Sequence, residues 1–357
     1  RGSQGIPSLP RPGSCSRRSK ARGRASEGDH PVATLSSGSS GLRTLWDFTR
    51  PHTLLGTLIS VPMVHLFAAA PLLASSGSAV LPALAASIAS SLPPALLINV
   101  YITGLNQIYD VEIDKVNKPY LPIPSGRLSV AGAWQTCIGC LAAAVVWAWS
   151  SPARASSLPL HLTLAGSAIL GSAYSMPPVR LKRSPFFAAV CIIVVRGLLV
   201  NLGFYWFALE ALRPFGAALG CDLRGGVAAG FFAVFGMVIA LLKDVPDVIG
   251  DEINKVRSLS VRVGPEKVLR AGGTLLFGLL CATATGFCGL SVVASAAGST
   301  WLALSRASLC IASLLALRFT TASMKGVNAN DPAGVYSFYM DVWRVFYASY
   351  LFLPLAR

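Results

Sequence analysis

The chain predicts an all-α membrane protein with about nine transmembrane helices, and three observations carry that expectation. It is 53% apolar and only 13% charged over 357 residues, with a mean hydropathy of +0.59, outside the composition of ordinary soluble domains. Apolar stretches of about 20 residues, the length that crosses a hydrocarbon core as a helix, recur along it. Its basic residues gather in alternate connections between those stretches. The net charge of +15 therefore reads as membrane topology, and its dispersal among loops argues against a nucleic-acid surface.

Residues 1–41 come first and are of another kind. Ser, Gly, Pro and Arg dominate, seven basic residues face two acidic ones, and no apolar run occurs. That is the composition of a disordered leader. Rich in Arg and Ser and poor in acid, it resembles an organellar transit peptide, and without a hydrophobic core it is not a secretory signal. Residue 1 is not Met, which fits a start inside a longer precursor. The membrane domain is expected over residues 42–357.

Its spans fall near 53–74, 80–103, 130–150, 157–175, 185–209, 226–242, 271–295, 300–320 and 335–355. The second contains Pro93-Pro94 and the fourth is short; proline is tolerated where neighbouring helices satisfy the freed backbone groups. The connections after spans two, four and six hold twelve basic residues, while the opposite connections hold three, Arg154, Arg213 and Arg224. The positive-inside rule places the basic connections and the N-terminal side on one cytoplasm-equivalent face.

The acid lies on that same face. Seven of the fifteen acidic residues occupy two windows, Asn106 to Asp114 and Lys243 to Glu252. Two like charges about 5 Å apart repel by roughly 3 kcal/mol at an effective dielectric of 20, so such crowding calls for bound cations. Asn106, Asp110 and Asp114 are spaced i, i+4, i+8 and share one face if span two continues as a helix. Asn117-Lys118-Pro119 stops that helix, and Ser129 is placed to cap span three. Asp244, Asp247 and Asp251, spaced i, i+3, i+7 at the end of span six, again share a face. Magnesium takes oxygen ligands and is commonly shared between carboxylates and substrate phosphates, so all six are candidate metal ligands and catalytic residues. Neither window has a calcium-loop pattern. The bland alternative is a solvated ion network with Lys115, Lys118, Lys243 and Lys255. Glu112 and Glu252 fall off the two faces and are expected to be bystanders.

Lys118, Arg127, Tyr174, Lys182, Lys243 and Arg257 are the candidates for holding a diphosphate, whose departing charge Lys and Arg can neutralise; their alternative role is to hold loops inside. Arg196 differs because it falls near the middle of span five, where a lone charge costs at least about 2.5 kcal/mol. It faces either an anionic substrate group or one of the aspartates, or it pairs with a carbonyl or Asn201 for folding. Arg50, at the entrance to span one on the acidic side, can likewise meet a carboxylate or else anchor the chain at the interface; Arg50, Arg196 and Asn201 are the candidates for binding an acceptor substrate. Tyr101, Tyr109, Tyr120, Tyr174, Phe204, Tyr205, Trp206 and Phe207 lie in or beside these segments, where aromatic faces can shield a cation. The eight cysteines read as small core residues, and Cys137-Ile-Gly-Cys140 has no second pair for zinc.

Asn106-Gln-Ile-Tyr-Asp-Val-Glu-Ile-Asp-Lys-Val-Asn-Lys-Pro-Tyr-Leu-Pro-Ile-Pro-Ser-Gly126 resembles the first aspartate signature of the UbiA-type intramembrane prenyltransferases, and Lys243 to Gly264 resembles their second. Arg50-Pro-His-Thr and the Tyr174 loop match too. Leu121 stands where many members have Arg. Asn-Lys-Pro-Tyr-Leu-Pro is similar to the plastid homogentisate prenyltransferases, and the stretches Pro177 to Arg183 and Val195 to Tyr205 look more like their solanesyl-transferring branch than the phytyl-transferring one. The resemblance implies helices around a central cavity open to the bilayer, with both aspartate motifs above it and magnesium required. It implies transfer of a long prenyl chain to homogentisate with decarboxylation, as in plastoquinone-type synthesis, in a chloroplast membrane with the active face on the stromal side. Members with other acceptors, such as 4-hydroxybenzoate, a naphthoate or chlorophyllide, are the near alternatives. A membrane transporter is the remote one, disfavoured because the windows lie at span ends and not at the midplane.

Overall fold

Proline, glycine and capping serines punctuate the chain, and the computed structural model, which describes residues 41–218 and 222–356, follows that punctuation. The expected leader lies outside the described residues except for Gly41, which opens a short helix, α1 (Gly41–Phe48), that no expected span accounts for. Arg50 turns the chain at φ 54°, and Pro51 begins α2 (Pro51–Ser76) where its missing N–H is an orphan in any case. A 3₁₀ turn leads into α3 (Leu81–Tyr109), which carries Pro93 and Pro94 inside it. α4 (Val111–Asn117) follows. Ser129 Oγ then accepts from the Gly132 amide at 3.0 Å and caps α5 (Val130–Trp149) as expected.

Beyond it come α6 (Pro152–Ala155), α7 (Leu158–Ser175) and α8 (Pro185–Ile192), a π-helical stretch (Ile193–Gly203), then α9 (Phe204–Leu212) and α10 (Leu223–Leu242). The short α11 (Val248–Ile253) and α12 (Leu259–Val263) precede three long helices, α13 (Pro265–Ala296), α14 (Thr300–Met324) and α15 (Pro332–Phe352). No strand occurs among the described residues.

Among the described residues six helical segments are long and apolar enough to cross a membrane by length and composition, which differs from the expected nine. The first, Pro51–Tyr109, runs through both of the first two expected spans. The fourth and ninth expected spans are helices, α7 and α15, outside the six. His161 and several Ser, Thr and Gly residues dilute α7, and Asp341 and Arg344 dilute α15.

Lipid is as apolar as leucine, so helices in a membrane are held by close packing and interhelical polar contacts. Phe232 of α10 stacks on Tyr350 of α15 with centroids 3.8 Å apart, and Trp343 and Phe346 meet edge to face at 5.4 Å. Gly197 lets the π-helical stretch approach α10 so closely that a Cβ there would lie 2.6 Å from the Ala233 Cα. The π-helical stretch has a local cause as well. Asn201 Nδ2 donates to the Arg196 carbonyl at 2.6 Å and the Gly197 carbonyl at 3.1 Å, drawing backbone acceptors five and four residues back and favouring a wider turn.

Candidate active site

Both acidic windows are interrupted where continuous helix is expected. α3 ends at Tyr109, Asp110 adopts φ −113°, and α4 resumes after it. The Asp114 amide still donates to the Asp110 carbonyl at 2.7 Å, so the helical advance survives the break and Asn106 Nδ2 reaches Asp110 Oδ2 at 3.1 Å. In the second window α10 ends at Leu242, a turn carries Asp244 and Asp247, and Asp251 lies in α11. The one-face helix expected for Asp244, Asp247 and Asp251 is therefore replaced by a turn and a new helix. The consequence for the site is small, because all six residues line one cavity of about 1160 Å³.

Lys118, Tyr174, Lys182, Lys243, Arg257, Arg50 and Arg196 line the same cavity, whereas Arg127 and Asn201 do not. Arg127 instead bonds Asp47 at 2.6 Å and the Tyr120 carbonyl at 2.6 Å, tying the loop after α4 to α1. Asn201 is buried in the π-helical stretch, where it also accepts from the Tyr350 hydroxyl at 3.1 Å. It holds the Arg196 backbone, not its guanidinium.

Cations meet most of the carboxylates. Asp110 takes Arg180 at 3.2 Å and Lys182 at 2.6 Å, Asp244 takes Lys243 at 2.8 Å, and Lys118 pairs with Asp247. Arg50 stands 3.7 Å from Asp114, and Asp251 has no ion pair among the described residues. Part of the expected ion network is thus present, through Lys118 and Lys243, while Lys115 pairs with the exposed Glu112. Lys243 is half-buried, and loss of hydration alone would lower its pKa; Asp244 and Tyr174 more than reverse this and keep it charged.

Two carboxylates remain short of positive charge. Burial pushes Asp114 up to about 6, with Asp110 and Asp247 adding to the rise against Arg50 and Lys118. Burial, with Asp244 and Asp247 beyond it, pushes Asp251 up to about 7. Asp114 Oδ2 is buried without a hydrogen-bond partner among the described residues. A divalent cation would relieve both. No three His, Cys, Asp or Glu side chains among the described residues are gathered into a ready protein-only metal cage. The donors are all hard oxygens facing a cavity, which fits a magnesium ion completed by water and phosphate oxygens.

Asn117 was expected only as part of a helix stop, yet it clasps the two windows together. Its Nδ2 donates to the Asp247 carbonyl at 3.1 Å and its Oδ1 accepts from the Gly250 amide at 2.9 Å. Gly250 is required because a Cβ would collide with the Asn117 amide. Arg180 likewise belongs to the site, since it also donates to the Tyr109 carbonyl at 3.1 Å. Its place beside Lys182 in a basic loop was the only signal for it.

The inner end of the cavity is different. The Arg196 guanidinium lies 4.8 Å over the Trp343 ring and has no hydrogen bond or ion pair to any described residue. His52 meets the same ring edge to face at 5.4 Å. Of the expected aromatics Tyr109 and Tyr174 line the cavity, but Phe204, Tyr205 and Phe207 pack in the core away from it; Tyr336, Tyr339 and Trp343 line it instead. Those three come from α15, where no acidic or basic motif marks them.

Comparison with known proteins places this geometry in context. The profile of the UbiA prenyltransferase family matches residues 58–343. The chain is 38% identical over 316 residues to the homogentisate phytyltransferase of Synechocystis sp., covering 88% of this chain and 96% of that protein. It is 35% identical over 345 residues to the chloroplastic homogentisate solanesyltransferase of Arabidopsis thaliana, covering 92% and 80%. Among solved structures, a UbiA homolog from Archaeoglobus fulgidus bound to GPP and Mg2+ superposes with a TM-score of 0.54 at 18% identity, covering 87% of this chain and 99% of that one. At that identity the likeness is one of fold.

Proposed function

This chain belongs to the UbiA prenyltransferase family, and from that membership we propose that it transfers a long prenyl chain from a prenyl diphosphate to homogentisate, with loss of carbon dioxide, in plastoquinone-type synthesis. The observation that carries the reading is a single cavity with two chemically different ends. Carboxylates and cations crowd its mouth, and one arginine without a counter-ion stands inside.

Asn106, Asp110, Asp114, Asp244, Asp247 and Asp251 would hold magnesium, which when bound supplies Lewis-acid neutralisation of the diphosphate. Lys118, Arg180, Lys182 and Lys243 stand where they can turn from their aspartates to diphosphate oxygens, with Arg257 at the rim. The allylic C–O bond breaks and its electron pair leaves with the diphosphate. A ring carbon of the acceptor supplies the pair for the new C–C bond and gives up its proton; the side chain loses carbon dioxide and takes up one proton. Tyr109 and Tyr174 present aromatic rings to the cavity, and its apolar walls keep water from the allylic cation. Arg196, supported by the Trp343 ring, receives the acceptor carboxylate, and Arg50 stays at the mouth beside Asp114.

The preference for a solanesyl donor rests on the stretches from Pro177 to Arg183 and Val195 to Tyr205; the identities to phytyl- and solanesyl-named relatives are nearly equal. The nine spans, the opening of the cavity to the bilayer and a chloroplast membrane location with the site on the stromal side belong to the same reading. Chloroplastic names among the relatives support the location. The test crosses purified protein with several aromatic acceptors and prenyl diphosphates in magnesium. Preferred transfer of a solanesyl-length chain to homogentisate is expected. Turnover with 4-hydroxybenzoate, a naphthoate or chlorophyllide and none with homogentisate would overturn the acceptor, and a phytyl preference would overturn the donor.

A further inference from the structure

Two polar side chains inside the cavity have no part in the chemistry described so far. Thr57 and Asn99 both line it, from the interiors of α2 and α3. At about 1.5 Å per residue, Thr57 lies roughly 10 Å along α2 from Arg50, and Asn99 lies the same distance along α3 from Asn106. Both are thus two helical turns inward from the charged mouth. Thr57 follows Gly56, and a Cβ on Gly56 would come within 3.4 Å of the Trp343 ring and 3.8 Å of Arg196 Nη1. Thr57 therefore stands at the level of the uncompensated guanidinium.

Hydrogen bonding fixes how these groups point. Asn99 Nδ2 donates to Thr57 Oγ1 at 3.1 Å and to the Thr53 carbonyl at 3.4 Å; a carbonyl only accepts, which sets the amide orientation. Because the amide donates into Thr57 Oγ1, the threonine's own O–H must point elsewhere. No described residue accepts it. Thr57 is half-buried on the cavity wall, so its O–H is free to be given to a ligand oxygen there.

Resting on the homogentisate reading above, we infer that Thr57, oriented by Asn99, donates to a ring hydroxyl of the aromatic acid whose carboxylate Arg196 holds. Arg196 anchors one end of the acceptor and Thr57 reads the ring, so the ring is fixed at two points below the allylic carbon. Thr57 is a specificity-determining residue. It selects hydroxylated phenylacetates over unhydroxylated ones and leaves the donor alone.

The test is calorimetric binding of homogentisate and of phenylacetate to the whole protein in magnesium and inorganic diphosphate, for wild type, Thr57→Val and Thr57→Ser, with prenyl transfer to homogentisate assayed in parallel. One neutral hydrogen bond corresponds to a preference of about fivefold to tenfold. Wild type is expected to prefer homogentisate by that factor, Thr57→Val to lose the preference with phenylacetate binding unchanged, and Thr57→Ser to keep it. In turnover, Thr57→Val should raise the KM for homogentisate and not that for the prenyl diphosphate. A preference unchanged in Thr57→Val, an equal loss for both acids, or a Thr57→Ser variant that behaves like Thr57→Val overturns the role of Thr57 while wild-type transfer still stands. If wild type neither binds homogentisate nor transfers to it, the acceptor reading itself fails and this inference with it.

Discussion

The mouth of the cavity and its inner end solve opposite electrostatic problems. At the mouth, Asp110, Asp114, Asp244 and Asp247 face Arg180, Lys182, Arg50, Lys243 and Lys118, and only Asp251 lacks an ion pair among the described residues. At the inner end Arg196 has a ring beneath it and no counter-ion. A nearly balanced cluster gains little from an isolated anion or cation, but accepts a diphosphate and its metal together, each compensating the other. An unbalanced arginine in a low-dielectric wall favours a single anion. Under the proposed function, this difference assigns the charged leaving group to the mouth and the small organic acid to the interior.

The comparison breaks most completely at the mouth. Asp110→Ala or Asp247→Ala is expected to lower kcat by about a hundredfold or more while the protein still inserts. Full activity in magnesium would remove these residues from the site. A smaller loss is expected for Asn117→Ala, which frees the Asp247 and Gly250 backbone without touching a charge. Turnover should fall by about tenfold, with a higher magnesium requirement and an unchanged KM for the aromatic acid; an unchanged magnesium requirement would make the clasp irrelevant to the metal.

The smallest effect concerns stability. Asp114 and Asp251 have folded-state pKa values raised to about 6 and about 7 from 3.8, so the folded protein holds protons that the unfolded chain has lost. Its stability without metal should fall as pH rises through about 4 to 7. A divalent cation takes the place of those protons, so the rise in Tm on adding magnesium should be larger at about pH 8 than at about pH 5. An equal rise at both would mean that neither carboxylate meets the metal.

Much of the mouth was legible because charge in a greasy chain is conspicuous and helical spacing converts it into faces. Asp110 and Asp251 illustrate the limit: the expected continuous helices break at both windows, since a turn at a span end depends on what packs beneath it. Asn117 and Gly250 touch although they stand 133 positions apart in the chain, and no local pattern announces such a contact. Arg196 was visible as a charge at membrane depth, but Trp343, which supports it, is an ordinary aromatic in α15. Arg127 and Asn201 do not line the cavity; the first is engaged by Asp47, 80 positions away, and the second by the Arg196 carbonyl five residues back. The short α7 and charge-bearing α15 show why a span count read from hydropathy depends on its threshold.

The division of labour between the two ends is tested most directly by exchanging losses. Binding of inorganic diphosphate with magnesium, and of homogentisate, is measured for wild type, Lys182→Gln and Arg196→Gln. Lys182→Gln should weaken diphosphate by about tenfold and leave homogentisate unchanged, and Arg196→Gln should do the reverse. Loss of both ligands in each variant, or diphosphate loss with Arg196→Gln and homogentisate loss with Lys182→Gln, would contradict a cavity with a diphosphate mouth and an acid-binding interior.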